Sequence, residues 1–284
     1  MRGKMILFLM VVAQLAAQDR PSSCKDCPTW NLPQKPFKIH GNTYYVGTHG
    51  LSTILITSDA GHVLIDGALS ESVPHIVANI RTLGFKVEDI KLIVNSHVHF
   101  DHAGGIAELQ KLSGARVAAS PWTADVLKKG AVARDDPQFG IIIPTAKIAR
   151  VEILKDGERV SGGAVALTPH FTPGHTPGGT SWTWQSCENS RCLQLVYADS
   201  LSPVSADGYL YSHREKYPHA EDFERSFAFL ESTPCDILIT PHPDASNLWE
   251  RLEKRALSDP AACKTLAKDM RDRLKNRLAT EVVK

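Results

Sequence analysis

The segment that most limits what this chain can become lies between residues 91 and 105. The apolar stretch Lys91-Leu92-Ile93-Val94-Asn95 leads directly into Ser96-His97-Val98-His99-Phe100-Asp101-His102, and then into Ala103-Gly104-Gly105. The first part reads as a buried strand. In extended chain, residues two apart point to one face, about 6–7 Å from each other. His97 and His99 can therefore converge on a single ion. A helix starting just after them re-aims Asp101 and His102 toward a second point, and Gly104 and Gly105 keep the rim clear. A fold that accepts this segment must hold a strand end rigidly and bring further ligands to it.

The sequence offers those ligands in similar settings. His175 lies in Thr172-Pro173-Gly174-His175-Thr176-Pro177-Gly178-Gly179, a loop between two expected strands. His242 lies in Thr240-Pro241-His242-Pro243, just after the apolar run 236–240. Loops at strand ends are where rigid scaffolds present chemistry. A catalytic zinc takes about three protein ligands and keeps an open position. His97, His99 and His175 are assigned to one ion, and Asp101, His102 and His242 to a second. Imidazoles with one carboxylate and no thiolate point to zinc, so two zinc ions are expected. The chain has 12 His, and the remaining ones, such as His40, His62 and His170, have no such setting.

The rest of the chain reads as strands followed by helices, twice. Residues 37–47, 52–58, 62–66, 90–94 and 115–119 read as strands, with helices over 71–83, 104–112 and 121–129. In the second half, residues 148–154, 158–160, 164–172, 179–185, 193–198 and 236–240 read as strands. Helices are expected over 219–230, 246–256 and 259–278. In the last one, Leu266, Met270, Leu274 and Leu278 recur every fourth residue after the start signals Asp259 and Pro260. This order predicts two sheets packed face to face with helices outside, in one continuous domain. The 284 residues carry 43% hydrophobic and 22% charged side chains with a formal net charge of +1. Such a composition excludes a disordered chain and gives no sign of a nucleic-acid partner.

The first residues read as an export signal. Arg2 and Lys4 precede the apolar run 5–13, and Ala16 and Ala17 suit a cleavage site. Residues 1–17 are expected to be removed, leaving an extended arm over 18–36 that is rich in proline. The apolar run is far shorter than the roughly 20 residues a span needs, and no other segment could cross a bilayer. The mature protein is expected to be periplasmic or secreted, where disulfides form. Spacing groups the 6 Cys as Cys24/Cys27, Cys187/Cys192 and Cys235/Cys263, although sequence alone leaves other connectivities open.

These residues resemble the metallo-β-lactamase superfamily, whose hallmark is His-x-His-x-Asp-His with further His on later loops. Residues 62–67, 173–179, Ser181-Trp182-Thr183-Trp184, Tyr197-Ala198-Asp199-Ser200-Leu201 and 240–243 resemble the third subclass of class B β-lactamases. The resemblance covers most of residues 30–278. It implies an α+β fold, a four-layer αββα sandwich, over 37–284. It also implies the same two-zinc ligand set, with Asp101 as the catalytic carboxylate. Ser200 stands where other subclasses place a metal-binding Cys, and His102 takes over as ligand. Asp199 is expected behind the ligands rather than on a metal. Ser200 and Ser202 resemble residues that hold a substrate carboxylate, and Gln138 falls in a substrate-contacting loop. Tyr209 or Tyr211 is a candidate for stabilising the oxyanion, and Trp30 for bordering the pocket. His49 replaces a Cys that some relatives pair with an N-terminal Cys, which leaves Cys24 and Cys27 to pair locally or stay free.

The implied activity is hydrolysis of the β-lactam amide in penicillins, cephalosporins and carbapenems, conferring antibiotic resistance. It would proceed by a metal-bridging hydroxide without a covalent intermediate. The expected partner is the small-molecule substrate alone, with the protein a monomer. Two alternatives use the same residues. One is a glyoxalase II-like thioesterase, a lactonase or a phosphodiesterase of this superfamily. The other is a non-catalytic periplasmic zinc-binding protein.

Overall fold

Three-residue strands such as Ile54-Leu55-Ile56 are buried throughout, yet their side chains divide between two cores by simple alternation. Ile54 and Ile56 face one core and Leu55 the other, and Val63 and Ile65 are likewise separated from Leu64. Strands apolar on both faces belong to a sheet covered on both sides. A computed structural model describes residues 24–217 and 219–281 and shows this arrangement. The expected leader and arm residues 18–23 lie outside the described residues.

A short helix α1 (Cys27–Trp30) precedes strands β1 (Phe37–His40), β2 (Thr43–Tyr45), β3 (Ile54–Ile56) and β4 (His62–Ile65). Then come α2 (Val73–Thr82), β5 (Ile90–Val94), α3 (Phe100–Ala103), α4 (Ile106–Ser113), β6 (Arg116–Ala119), α5 (Pro121–Lys129) and β7 (Glu152–Ile153). These strands form the first sheet in sequence order, antiparallel from β1 to β4 and parallel from β4 to β7. The second half supplies β8 (Val160–Gly162), β9 (Val165–Phe171), β10 (Thr180–Glu188), β11 (Arg191–Tyr197), α6 (Ala220–Ser232), β12 (Ile237–Ile239), α7 (Leu248–Glu253) and α8 (Ala262–Glu281). The second sheet runs β12-β11-β10-β9-β8, with β12 parallel to β11.

Three cores separate four layers, so the expected αββα sandwich is present. Ile76, Ile80, Ile106, Leu109 and Leu127 pack the first helices onto Leu55, Leu64 and Ile93. Between the sheets, Leu92 and Val94 meet Trp182, Trp184, Leu195 and Ile239. On the far side, Phe223, Phe227, Leu266, Met270 and Leu274 cover Val196 and Leu238. No helix among the described residues is long and apolar enough to cross a membrane.

The strand expected over 148–154 shrinks to the two residues of β7, and two further elements depart from the sequence reading. The part of the arm that is described contains the single helical turn α1, too short to show periodicity, and it is pinned to the body. Gly50 N–H and the Thr48 hydroxyl donate to Trp30 O at 3.1 and 2.8 Å, and His49 N–H donates to Leu32 O at 2.8 Å. Position 50 must be glycine here, because a Cβ would lie 2.5 Å from Trp30 Cα. The helix expected over 246–256 is instead a tight turn, Pro243–Ser246, followed by α7. Asn247, with φ at 49°, breaks the two apart. Disulfides join Cys24 to Cys27, Cys187 to Cys192 and Cys235 to Cys263, and the last staples α8 to the lead-in of β12.

Candidate metal centre

The loop that leaves β5 is fixed from below before it reaches its first histidine. Asp66, at the end of β4, accepts Ser96 N–H at 2.7 Å and the Ser96 hydroxyl at 2.8 Å, and the Tyr197 hydroxyl donates to it at 2.6 Å. Asp66 itself sits in the left-handed region at φ 64°, a conformation that Asp tolerates better than most residues. The second sheet holds the same loop from the other side. Trp182 Nε1–H donates to Asn95 O at 2.9 Å, and Thr180 N–H to Ser96 O at 2.8 Å.

From this base His97 and His99 project toward His175, which comes from the loop between β9 and β10. Their ring centroids lie 4.8 to 5.0 Å apart, and one nitrogen from each falls within 4.8 Å of the others. These three could hold a metal ion. His97, Asp101 and His102 meet the same distance limit. His242 approaches from the loop after β12, with Nε2 3.3 Å from Asp101 Oδ2, as is His102 Nε2. His97 therefore stands between both clusters, and Asp101 links His102 to His242. All six side chains named from the sequence come together.

Each imidazole of the first cluster has one nitrogen tied down behind it. His97 Nδ1 lies 2.7 Å from Asp199 Oδ1, His99 Nε2 lies 3.0 Å from Asp136 Oδ2, and His175 Nδ1 lies 2.9 Å from Ser202 O. The opposite nitrogen of the His97 and His99 rings is thus left for a ligand, while that of His175 faces the cleft beside the Gln138 amide. Asp199 occupies the supporting position expected for it. Gly179 makes room for that carboxyl, since a Cβ there would lie 2.4 Å from Asp199 Oδ2.

Burial is the main cause that pushes His97 well below the ordinary imidazole range, followed by the neighbouring His102, His99 and His175 rings. Burial and His99 push His175 down to about 3. Burial alone would raise the Asp101 carboxyl, but His102 and His242 hold it well below the usual carboxylate range. The site thus presents five imidazoles, of which His97 and His175 are held neutral, beside one ionised carboxylate, a donor set that fits divalent metal.

The depressed histidines set a pH dependence. In the folded, metal-stripped protein His175 charges only near pH 3, against 6.5 for an ordinary imidazole. Above 6.5 both states are neutral and nothing is gained or lost. Below it the unfolded chain binds the extra proton, so stability falls as pH drops toward 3. The urea midpoint of chelator-treated protein is expected to be lower at about pH 4 than at about pH 7, with a smaller drop in His175→Gln. Equal drops in both proteins would show that this ring is not held neutral.

A cleft of about 630 Å³ opens over the centre, lined by Trp30, Gln138, Ser202 and the cleft-facing ligands His99, Asp101, His175 and His242. The Trp30 ring stands against His242 at 5.0 Å between centroids. Gln138 Nε2 lies 3.3 Å from His175 Nε2. Ser200 and Tyr209 do not line this cleft. Ser200 follows directly on the buried Asp199, and only Ser202 reaches the wall. Tyr209 is turned into the third core, where its ring packs on Tyr211 and Tyr217 at 4.9 and 4.1 Å. Tyr211 is fully buried beside it, and its hydroxyl donates to Val204 O at 3.1 Å. Sequence reasoning missed Asp66 and Asp136. The first follows an apolar strand and the second precedes Pro137, and neither setting announces a partner elsewhere in the chain.

The metallo-beta-lactamase superfamily profile matches residues 46–188, half of the chain. Among solved structures, Rm3 metallo-beta-lactamase superposes with a TM-score of 0.89 at 52% identity, covering 91% of this chain and 99% of that one. MEM-A1, a subclass B3 metallo-beta-lactamase isolated from a soil metagenome library, superposes with a TM-score of 0.87 at 48% identity, covering 89% and 99%. An N-acyl homoserine lactonase of Bacillus cereus is 26% identical over 148 residues, 43% of this chain. That match spans 54% of the lactonase, so the chain covers about half the length of this curated relative. With its sandwich shared almost end to end at about half identity, the chain belongs to the metallo-beta-lactamase superfamily, on its subclass B3 branch.

Proposed function

We propose that this chain opens the amide bond of β-lactam rings, with two zinc ions as cofactors. The observation that carries this reading is the convergence of five imidazoles and one ionised carboxylate beneath an open cleft. Over 91% of its length the chain is 52% identical to Rm3 metallo-beta-lactamase. His97, His99 and His175 would hold one ion, and Asp101, His102 and His242 the other. When bound, zinc supplies Lewis acidity toward a carbonyl oxygen and makes water nucleophilic near neutral pH.

The protein's own groups do the rest. The Asp101 carboxylate accepts a hydrogen bond from the attacking water and orients it toward the lactam carbonyl. The Ser202 hydroxyl and the Gln138 amide bind the polar groups of the substrate. The Trp30 ring closes one side of the cleft and limits solvent. No covalent step is needed. Ser202 Oγ is 3.4 Å from His175 Nδ1, but that nitrogen is already engaged by Ser202 O at 2.9 Å, so the hydroxyl lacks a free base. Three disulfides fit an oxidising compartment. They support the reading of a periplasmic or secreted enzyme that confers β-lactam resistance.

The experiment is spectrophotometric hydrolysis of a penicillin, a cephalosporin and a carbapenem beside an acyl homoserine lactone and a thioester. The β-lactams are expected to be cleaved, with the rate falling to background in chelator and returning with zinc. Inert β-lactams alongside rapid lactone or thioester cleavage would transfer the site to the alternative substrates. Undiminished hydrolysis by metal-stripped protein would reject the zinc reading.

A further inference from the structure

We infer that Asp136 is a positioning residue whose single carboxylate orients a metal-facing histidine and anchors the substrate loop. The inference rests on the metal reading above, not on the choice of substrate. Asp136 is 2% exposed. Its Oδ2 and Oδ1 lie 3.0 and 3.3 Å from His99 Nε2, and Oδ1 also accepts the Gln138 backbone N–H at 2.8 Å. Among the described residues, its ion-pair partner is His99. A carboxylate so buried needs hydrogen bonds from every side, and it draws them from the two ends of the site.

The local sequence produces this arrangement. Pro137 has no N–H, so the first backbone donor that the Asp136 side chain can capture is that of Gln138, in a turn typical of Asp. Phe139 N–H closes the turn on Asp136 O at 2.9 Å, and Ala206 N–H ties Pro137 O to the Ser202 loop at 2.8 Å. The turn leaves the other carboxylate oxygen facing His99. The groups facing His99 Nε2 are carboxylate oxygens, which accept, so that nitrogen is placed to donate and Nδ1 to present its lone pair to the cluster. Gln138, held by the same carboxylate, reaches to 3.3 Å from His175 Nε2. A shift of the loop that carries Gln138 is thereby a shift of the group that fixes the His99 tautomer.

Asp136→Asn separates the two roles. Its side-chain oxygen can still accept the Gln138 N–H, while its NH2 group faces His99 Nε2 and drives the ring proton onto Nδ1, the nitrogen meant for metal. In the full-length protein, zinc affinity by chelator competition is expected to fall about 10–100-fold, the range for such supporting partners. KM is expected to stay within about twofold. Asp136→Ala frees both partners, so it should lose metal and also raise KM. Nitrogen-15 spectra of the His ring in the metal-stripped wild-type protein, assigned with His99→Gln, should show His99 protonated on Nε2. Wild-type zinc affinity in Asp136→Asn, or a KM rise without metal loss, would overturn the inference. If the variants fail to fold, a His99 proton on Nδ1 in the wild-type spectrum would overturn it alone. Zinc affinity and the ring spectrum involve no β-lactam, so a protein that shows both effects yet cleaves no β-lactam would refute only the proposed activity.

Discussion

Asp101→Asn is expected to lower kcat/KM for β-lactam hydrolysis by about a thousandfold, with the folded structure intact. The carboxylate stands 3.3 Å from both His102 Nε2 and His242 Nε2, and those rings keep it ionised against the cost of burial. Asn removes the negative charge and turns a donor toward one of the nitrogens. Unit charges about 4 Å apart interact by about 4 kcal/mol at an effective dielectric near 20, which corresponds to about a thousandfold in rate. The side chain sits on a loop-borne single turn, outside the three hydrophobic cores, so thermal unfolding should move little relative to the rate. A loss of less than tenfold at saturating zinc would remove Asp101 from the reaction and leave it a packing residue.

The largest effect on stability is expected from Trp182→Ala. The indole is fully buried between the sheets, and truncating such a side chain costs about 3–5 kcal/mol. The change also strips Asn95 O of its 2.9 Å donor, and an unmet buried polar group costs about 1–3 kcal/mol more. Asn95 lies two residues before His97, so the damage should spread to the site. The expected result is a lower urea midpoint at unchanged slope, together with weaker zinc retention at temperatures where the variant is still folded. A loss below about 1 kcal/mol would mean that the space between the sheets can close over the gap.

Much of this was readable from residue order because the relevant forces are local or periodic. The apolar run of the strand over 52–58, the Leu266/Met270/Leu274 stripe and the packed ligands of residues 97–102 all declare themselves within a few positions. The supporting groups do not. Asp66 meets Ser96 across 30 positions and Asp136 meets His99 across 37, and only the folded chain brings each pair together. Tyr209 shows the converse error. A tyrosine near a substrate loop suggests a hydroxyl aimed at substrate, but here the aromatic contacts with Tyr211 and Tyr217 draw the ring inward. The four-residue α1 and the split at Asn247 escaped for a simpler reason, since elements that short carry no period to detect.

The six candidate ligands do not share one sheet. His97, His99, Asp101 and His102 leave the end of β5 in the first sheet, while His175 and His242 leave β9 and β12 in the second. An ion held by them would act as a rivet across the seam where the halves of the molecule meet, and it could exist only while they are docked. Binding that requires the docked state adds to its stability by mass action, about 2.7 kcal/mol at a free metal concentration a hundred times Kd. Where zinc is scarce, the protein would then lose more than turnover: its two halves would part more often, and its survival among proteases would follow the metal supply.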